Sequence, residues 1–340
     1  MLARRLLTCG IVALSLAHLV IVAPGLVYLV AETGAFAQSA YPNAPIKLVV
    51  PFPPASEADV LMRLVVNEVE RKDRWTFVID NRSGVGSNSG LDAVARASKD
   101  GYTLGVEQTA NLAINPSLHS KVSYDVESDF SPVVLLASQP MVLVVCAASP
   151  IKQLADLQAL SKRRPLSMAS VGVGSVGHIT GEMFAKRVGI NMMHMPYKGA
   201  GPAASDLLRG ITDFYFATPP SVISLVKSGK LRALAVTSST RLDVLPNVPT
   251  AAEAGYPGFV AEDWKAVVAP AGTPPEAIAT INKVMNAALM HPAVVERLRG
   301  DGSVPRGGTA AELGAFMKNE QSRWGLAVRD SGAKLDRDSI

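Results

Sequence analysis

The chain has 340 residues, of which 48% are hydrophobic, and 33 Lys and Arg stand against 29 Asp and Glu for a net charge of +4. So small and evenly spread a charge, with no basic stripe interleaved with aromatics, excludes a nucleic-acid-binding role. The length favours two domains over one and supports an ample core.

The first 37 residues read as a leader. Arg4 and Arg5 form a positive start, an apolar stretch runs from Leu6 to about Ala31, and Ala35-Phe-Ala37 fits a small-x-small cleavage site. The apolar stretch is long enough for the alternative of a retained membrane helix, but Pro24 and Gly25 interrupt it. Cys9 precedes most of the stretch, which argues against a lipoprotein cysteine. Cleavage leaves 303 residues and removes two Arg and one Glu, for a net charge of +3. Cys146 is then the sole cysteine, unable to form an internal disulfide; its apolar setting predicts a buried small hydrophobe.

Strands and helices alternate through the mature chain. The first strand, 46–51, runs into a Pro-rich turn. Ser56 follows at a helix N-cap position, with Asp59 three residues on and an apolar face of Val60, Leu61, Leu64 and Val65. Helices near 57–71 and 88–98 lie between strands at 46–51, 75–79 and 102–107. A second set has strands near 166–170, 191–195, 212–217 and 231–237, with helices near 178–188, 202–209 and 221–228. Two stretches read as crossings between domains: 133–148, long and apolar and broken by Ser138-Gln-Pro140, and 264–269, followed by Pro270-Ala-Gly-Thr-Pro-Pro275. Helices near 274–290 and 309–329, the latter carrying Leu313, Phe316 and Trp324, close the chain. The rhythm predicts an α/β protein with mostly parallel sheets and two lobes, 38–140 plus 264–340 and 141–263, able to hinge around a ligand.

Two strand–turn–helix junctions, at 46–63 and 166–180, each aim amide N–H groups and the positive end of a helix dipole at one spot, which suits an anion. The second contains Gly172-Val-Gly-Ser-Val-Gly177, a literal GxGxxG. A dinucleotide site needs an acid about twenty residues on; Met195, Pro196, Tyr197 and Lys198 stand there instead, so a flexible amide nest for a carboxylate is the better expectation. Ser175 is not in a GxSxG elbow, because Val173 holds the first glycine position. His178 reads as a structural group at the helix start, and His119, His194 and His291 show no metal-ligand spacing. No cofactor or metal is expected.

Several stretches together carry a family resemblance. They are Tyr41-Pro-Asn-Ala-Pro-Ile46, Val49-Val-Pro-Phe-Pro-Pro54 with Asp59, Asp80-Asn-Arg82, Asp100-Gly-Tyr-Thr-Leu104 and Ile114-Asn-Pro-Ser-Leu118. Pro196-Tyr-Lys-Gly199, Leu231-Arg-Ala-Leu-Ala-Val-Thr237, Leu245-Pro-Asn-Val-Pro-Thr250 and Ala269-Pro-Ala-Gly-Thr-Pro274 complete the set. In this order, across residues 41–330, the chain resembles periplasmic substrate-binding proteins of the tripartite tricarboxylate transporter type, the Bug family. The resemblance implies a flytrap-like, type II periplasmic-binding-protein fold with two doubly wound, mostly parallel sheets joined by two hinge strands. It implies a periplasmic monomer that captures a small organic carboxylate and delivers it to a cognate membrane permease, with no catalysis.

The family's site is built largely from backbone amides and waters. Carried onto this chain, the first contact loop supplies Pro54, Ala55, Ser56 and Asp59; family members commonly have two glycines where Ala55 and Ser56 stand, so the pocket is narrowed or reshaped. Asp59 either orients the loop or accepts from a ligand, with a first-turn helix acid as the bland alternative. The second loop supplies Gln108, Thr109 and Asn111, with Glu107 an unusual neighbour for a carboxylate unless it points away or is paired. The third supplies Ser170, Val171, Gly172, Ser175 and His178, and beyond it come Lys198, Ala217 and Thr218. Many family members carry Asp or Asn near 217–218; its absence leaves the substrate open. Two alternatives remain: an exported α/β hydrolase using Ser175 or Ser170 with His178, and a ligand-presenting subunit of a sensor.

Overall fold

The computed structural model describes residues 41–82, 88–120 and 122–333; the expected leader lies outside them. In chain order the elements are β1 (Ile46–Val50), α1 (Glu57–Asp73), β2 (Phe77–Asn81), α2 (Asn88–Ala95) and β3 (Thr103–Gln108). A π-helical turn, Ala110–Ile114, and the short α3 (Asn115–Leu118) lead to β4 (Phe130–Pro140) and β5 (Val142–Cys146). Then come α4 (Leu154–Ser161), β6 (Leu166–Ser170), α5 (Val176–Val188), β7 (Met192–Pro196), α6 (Ala200–Leu208), β8 (Phe214–Ala217), α7 (Pro219–Lys227) and β9 (Leu231–Val236). The chain ends with β10 (Glu262–Pro270), α8 (Pro275–Leu289), α9 (Pro292–Gly300), β11 (Val304–Pro305) and α10 (Ala310–Ser331).

Two sheets form, in the orders β11-β4-β10-β3-β1-β2 and β7-β6-β8-β5-β9. The expectation of mostly parallel sheets is corrected. Strand β1 is parallel to β2 and β3, and β6 is parallel to β7 and β8. But β10 runs against β3 and β4, β11 against β4, and β5 against β8 and β9. All of the antiparallel pairs involve the strands that cross between the sheets or return from them, β4, β5 and β10, while the strands joined by helical crossovers, as parallel pairing requires, keep the parallel sense.

The two crossings are tied to each other at Thr237, itself 1% exposed. Met141 N donates to Thr237 Oγ1 at 2.8 Å, Thr237 N returns a bond to Met141 O at 2.9 Å, and Ala261 N donates to Thr237 O at 3.1 Å. The Thr237 hydroxyl also bonds the carbonyl of Ala261. This knot joins the chain leaving the six-stranded sheet to the chain returning to it.

Apolar periodicity places the cores. Helix α1 buries Leu61, Met62, Val65, Val66 and Val69 against the first sheet, at about 1.5–3 kcal/mol for each large side chain. Helix α10 packs against α5 as well as against β4 and the π-helical turn, so it touches both halves of the molecule. Trp264 and Trp324 are fully buried there, and both indoles donate to Glu320 Oε2, at 2.9 and 2.8 Å. Cys146 is half-buried and not fully so, its thiol 3.5 Å from Leu208 O at the end of β5.

Both parallel triads wind the same way. From β1 the chain crosses to β2 on one side and then to β3 on the other, and β6, β7 and β8 repeat the pattern. The loops after β1 and β6 therefore open at topological switch points, where ligands bind in open α/β sheets.

Candidate functional site

The first loop is held by its acid. Asp59 is 2% exposed and accepts from Ala55 N at 2.9 Å, Arg63 Nε at 2.9 Å and Asn81 Nδ2 at 3.0 Å. Burial pushes its pKa up, but the bonds from Arg63, Asn81 and the Ala55 amide outweigh this and hold it below the usual carboxylate range. Asp59 thus shapes the loop. Ala55 has φ +65°, a left-handed conformation that costs an L-residue about 1–2 kcal/mol. Ser56 caps α1, its Oγ accepting from Asp59 N at 3.4 Å, and the first intrahelical bond runs from Val60 N to Ser56 O. The amides of Glu57 and Ala58 therefore have no acceptor within the helix, and the dipole adds to their pull on an anion.

The third loop repeats this arrangement. Ser175 caps α5, accepting from His178 N at 3.2 Å, and Ile179 N bonds Ser175 O, which leaves the amides of Val176 and Gly177 without intrahelical acceptors. The glycines themselves are less open than a flexible nest requires. Gly172 N donates to Ser170 Oγ at 3.1 Å, and Gly174 N donates to His178 Nδ1 at 3.1 Å. The donors this loop offers thus come from the first turn of α5. Val171 is exposed on the loop, and Ser175 Oγ is turned back to Gly172 O at 2.8 Å.

Below the loop two histidines meet that the sequence reading left apart. His178 and His194 stack with ring centroids 3.7 Å apart at 14°, and Ser170 Oγ lies 2.6 Å from His194 Nε2. Burial, aided by His178, pushes the His194 pKa down to about 4. His178 Nδ1 accepts from Gly174, so its proton sits on Nε2, which lies 3.6 Å from Glu182 Oε1. The pairing of Ser170 or Ser175 with His178 as nucleophile and base is not what the side chains form.

The remaining expected contacts divide. Gln108 ends β3 half-buried, and Thr218 lies at the start of α7. Thr109 and Asn111 are buried instead: Thr109 Oγ1 accepts from Trp264 N at 2.7 Å, and the Asn111 carbonyl accepts from Tyr124 OH at 2.7 Å. Ala217 is buried and Lys198 exposed, while Pro54 and Ala55 are exposed on the first loop. Glu107 lies fully buried within β3, both oxygens without a partner among the described residues, and burial pushes its carboxyl well above the usual range.

Close contacts join some of these segments. Thr218 Oγ1 donates to Glu57 Oε1 at 2.9 Å. A Cβ on Gly177 would stand 2.4 Å from Phe216 O, and one on Gly174 would stand 2.1 Å from Leu118 Cδ2. The backbone carbonyl facing Gly177 leaves room only for glycine, and at Gly174 the left-handed φ of +75° favours it as well. Helix α7 opens with Pro219 and Pro220, which carry no N–H, so the Thr218 hydroxyl is the donor its end provides.

Sequence reading missed Lys265. It is 1% exposed in β10, and Nζ donates to Gln139 Oε1 at 2.6 Å, Asp263 Oδ2 at 2.9 Å and Glu57 Oε2 at 3.3 Å. Burial lowers its pKa, yet Asp263 and Glu57 outweigh that and hold it raised. Asp263 Oδ1 has no partner among the described residues. A lone lysine inside an apolar return strand was the available signal.

A cavity of about 540 Å³ lies between α5, the turn at 257–259 and α10; it includes none of the rim residues. Among the described residues no cluster of His, Cys, Asp and Glu could hold a metal, and no helix is long and apolar enough to cross a membrane.

The family model described as the tripartite tricarboxylate transporter family receptor matches residues 61–333. BugT of Bordetella pertussis is 40% identical over 298 residues, covering 87% of this chain and 91% of that protein. Among solved structures, R. palustris Rpa4515 with adipate superposes with a TM-score of 0.78 at 34% identity, covering 87% of this chain and all of that one. MatC of Rhodopseudomonas palustris with bound malate gives 0.73 at 29% identity, covering 85% of this chain and all of that one.

Proposed function

Because the chain belongs to the tripartite tricarboxylate transporter receptor family, we propose that it captures a small organic carboxylate between its lobes and delivers it to a membrane permease of the same transport system. The two-lobed periplasmic-binding-protein fold and the role of solute-binding receptor come with membership. The observation that carries the carboxylate reading is the matched pair of serine-capped helix starts, α1 and α5, each with two amides lacking an acceptor in its own helix. The relatives with adipate and malate point to the same ligand class.

In this reading residues 1–37 are a cleaved leader and the mature chain works in the periplasm as a monomer. Lobes 38–140 plus 264–340 and 141–263 close about the knot at Thr237. Pro54, Ala55, Ser56, Gln108, Val171, Gly172, Ser175, Lys198 and Thr218 border the ligand; Asp59, Thr109, Asn111, Ser170, His178 and Ala217 hold the border in shape. Four amide donors and lobe closure supply micromolar binding, roughly −8 kcal/mol. No catalysis is proposed: neither serine pairs with His178 as the hydrolase alternative requires, Ser175 Oγ being turned to Gly172 O and Ser170 Oγ bonding Gly172 O and lying against His194. A thermal-shift screen with malate, adipate, benzoate and hexanoate tests the proposal: at least one acid raises Tm, and no response to any of them contradicts it.

A further inference from the structure

The ring of His178 ties the third loop to the helix that carries its donors. Gly174 N donates to His178 Nδ1 at 3.1 Å, and His178 N donates to Ser175 Oγ at 3.2 Å. One residue thus holds both Gly174 and the cap of α5, and the amides of Val176 and Gly177 follow directly. Gly174 is also where this loop meets the other lobe, since a Cβ there would stand 2.1 Å from Leu118 Cδ2 of α3. A shift of the Gly174 backbone therefore moves the α5 donors and the contact between the lobes together.

Nδ1 accepts from an amide only while it keeps its lone pair. The buried ring has two titratable neighbours, one that favours a proton and one that opposes it. Glu182, one turn along α5, places Oε1 3.6 Å from His178 Nε2, and His194 of β7 stacks on the ring at 3.7 Å. The other elements packed here bring no free charge. β6 contributes Ser170, α3 contributes Leu118, and Asp330 of α10 is bound to Lys186 of α5 at 2.7 Å. Burial and His178 together push His194 down to about 4. The stack has room for one positive charge, and the adjacent carboxylate of Glu182 directs it to His178.

We infer that His178 is a positioning residue with two states, and that acid converts the binding state into a releasing one. Uncharged, it holds Gly174 and keeps the first turn of α5 aimed at the carboxylate. When Nδ1 takes a proton from solvent, both ring nitrogens donate, the Gly174 amide loses its acceptor and Glu182 holds the imidazolium. The third loop then leaves Leu118 and the solute is released. The inference rests on the carboxylate reading above and adds a pH dependence to the same site.

Calorimetric titration of the mature protein with malate, adipate, benzoate and hexanoate at pH 7.5 and pH 5 tests it, alongside two variants. His178→Asn keeps an acceptor close to the Nδ1 position and takes up no proton. Each acid's own protonation affects both proteins alike, so the comparison isolates the ring. Between the two pH values the wild type is expected to lose about tenfold more affinity than His178→Asn, the worth of one lost hydrogen bond. Glu182→Gln touches none of the donors; it binds as wild type at pH 7.5 and loses less at pH 5, because the imidazolium has no counter-charge. Where His178→Asn does not fold, Glu182→Gln decides alone. Equal losses in the wild type and in either folded variant overturn the two-state role of His178 and leave the carboxylate reading standing. Absence of binding by all four acids at pH 7.5 overturns the carboxylate reading, and the inference falls with it.

Discussion

The hydroxyl of Thr218 donates to Glu57 Oε1 at 2.9 Å, joining the start of α7 in one lobe to the start of α1 in the other. The same carboxylate accepts from the buried Lys265 through Oε2 at 3.3 Å. Glu57 is thus a shared acceptor between a side chain of the opposite lobe and a fixed cation of its own.

Removing the cross-lobe bond loosens closure. Thr218→Val deletes a bond worth about 1 kcal/mol net, so ligand affinity falls about fivefold, and small-angle scattering of the ligand-free protein shows a larger radius of gyration. Unchanged affinity and radius would mean that closure does not depend on this contact.

Lys265, 1% exposed, sits between two carboxylates. Lys265→Met leaves Asp263 and Glu57 without their cation, and breaking a buried pair in this way costs about 3–5 kcal/mol. Urea unfolding reads the loss directly. The double variant Lys265→Met with Asp263→Asn recovers part of it, because the stranded charge on β10 is removed as well. A loss in K265M below about 1 kcal/mol would contradict the geometry.

Stability should fall in mild acid because of His194. Its folded pKa is pushed down to about 4 from an ordinary 6.5, so the unfolded chain takes up a proton there first. The associated stability is fully present above about pH 6.5 and is lost progressively as pH falls toward 4. His194→Gln removes this part of the slope, measured by chemical denaturation at pH 7.5, 6 and 5. An identical slope in the variant would show that His194 does not titrate as described.

Asp59 is predicted to act on the loop and not on the ligand. Asp59→Ala leaves the Ala55 amide, Arg63 and Asn81 without their common acceptor, so both stability and affinity drop. A variant that keeps full stability while losing binding would instead place Asp59 in contact with the ligand.

The order of elements was legible because buried parallel strands read as apolar runs and a serine cap marks a helix start; Ser56 caps α1 as its spacing predicts, while the cap that Ser175 provides for α5, two residues before the expected start at 178, was not read. Strand direction was not legible. Met141 is one residue among many apolar ones, and nothing local announces that β5 enters a second sheet against its neighbours. Long-range pairs were equally hidden: His178 and His194 lie sixteen residues apart, and Glu57 and Lys265 over two hundred. The glycine-rich run 172–177 suggested an open nest, yet the amides of Gly172 and Gly174 are consumed by Ser170 and His178, whose positions depend on folding, and only the first turn of α5 is left to donate.

Hydrogen–deuterium exchange of the mature protein, with and without a saturating acid from the screen, tests the central claim most directly. The account predicts slowed exchange at the amides of Glu57 and Ala58 and of Val176 and Gly177 together, since one carboxylate ligand is held by both helix starts. Protection confined to one of the two pairs, or found only around the cavity between α5 and α10, would contradict it.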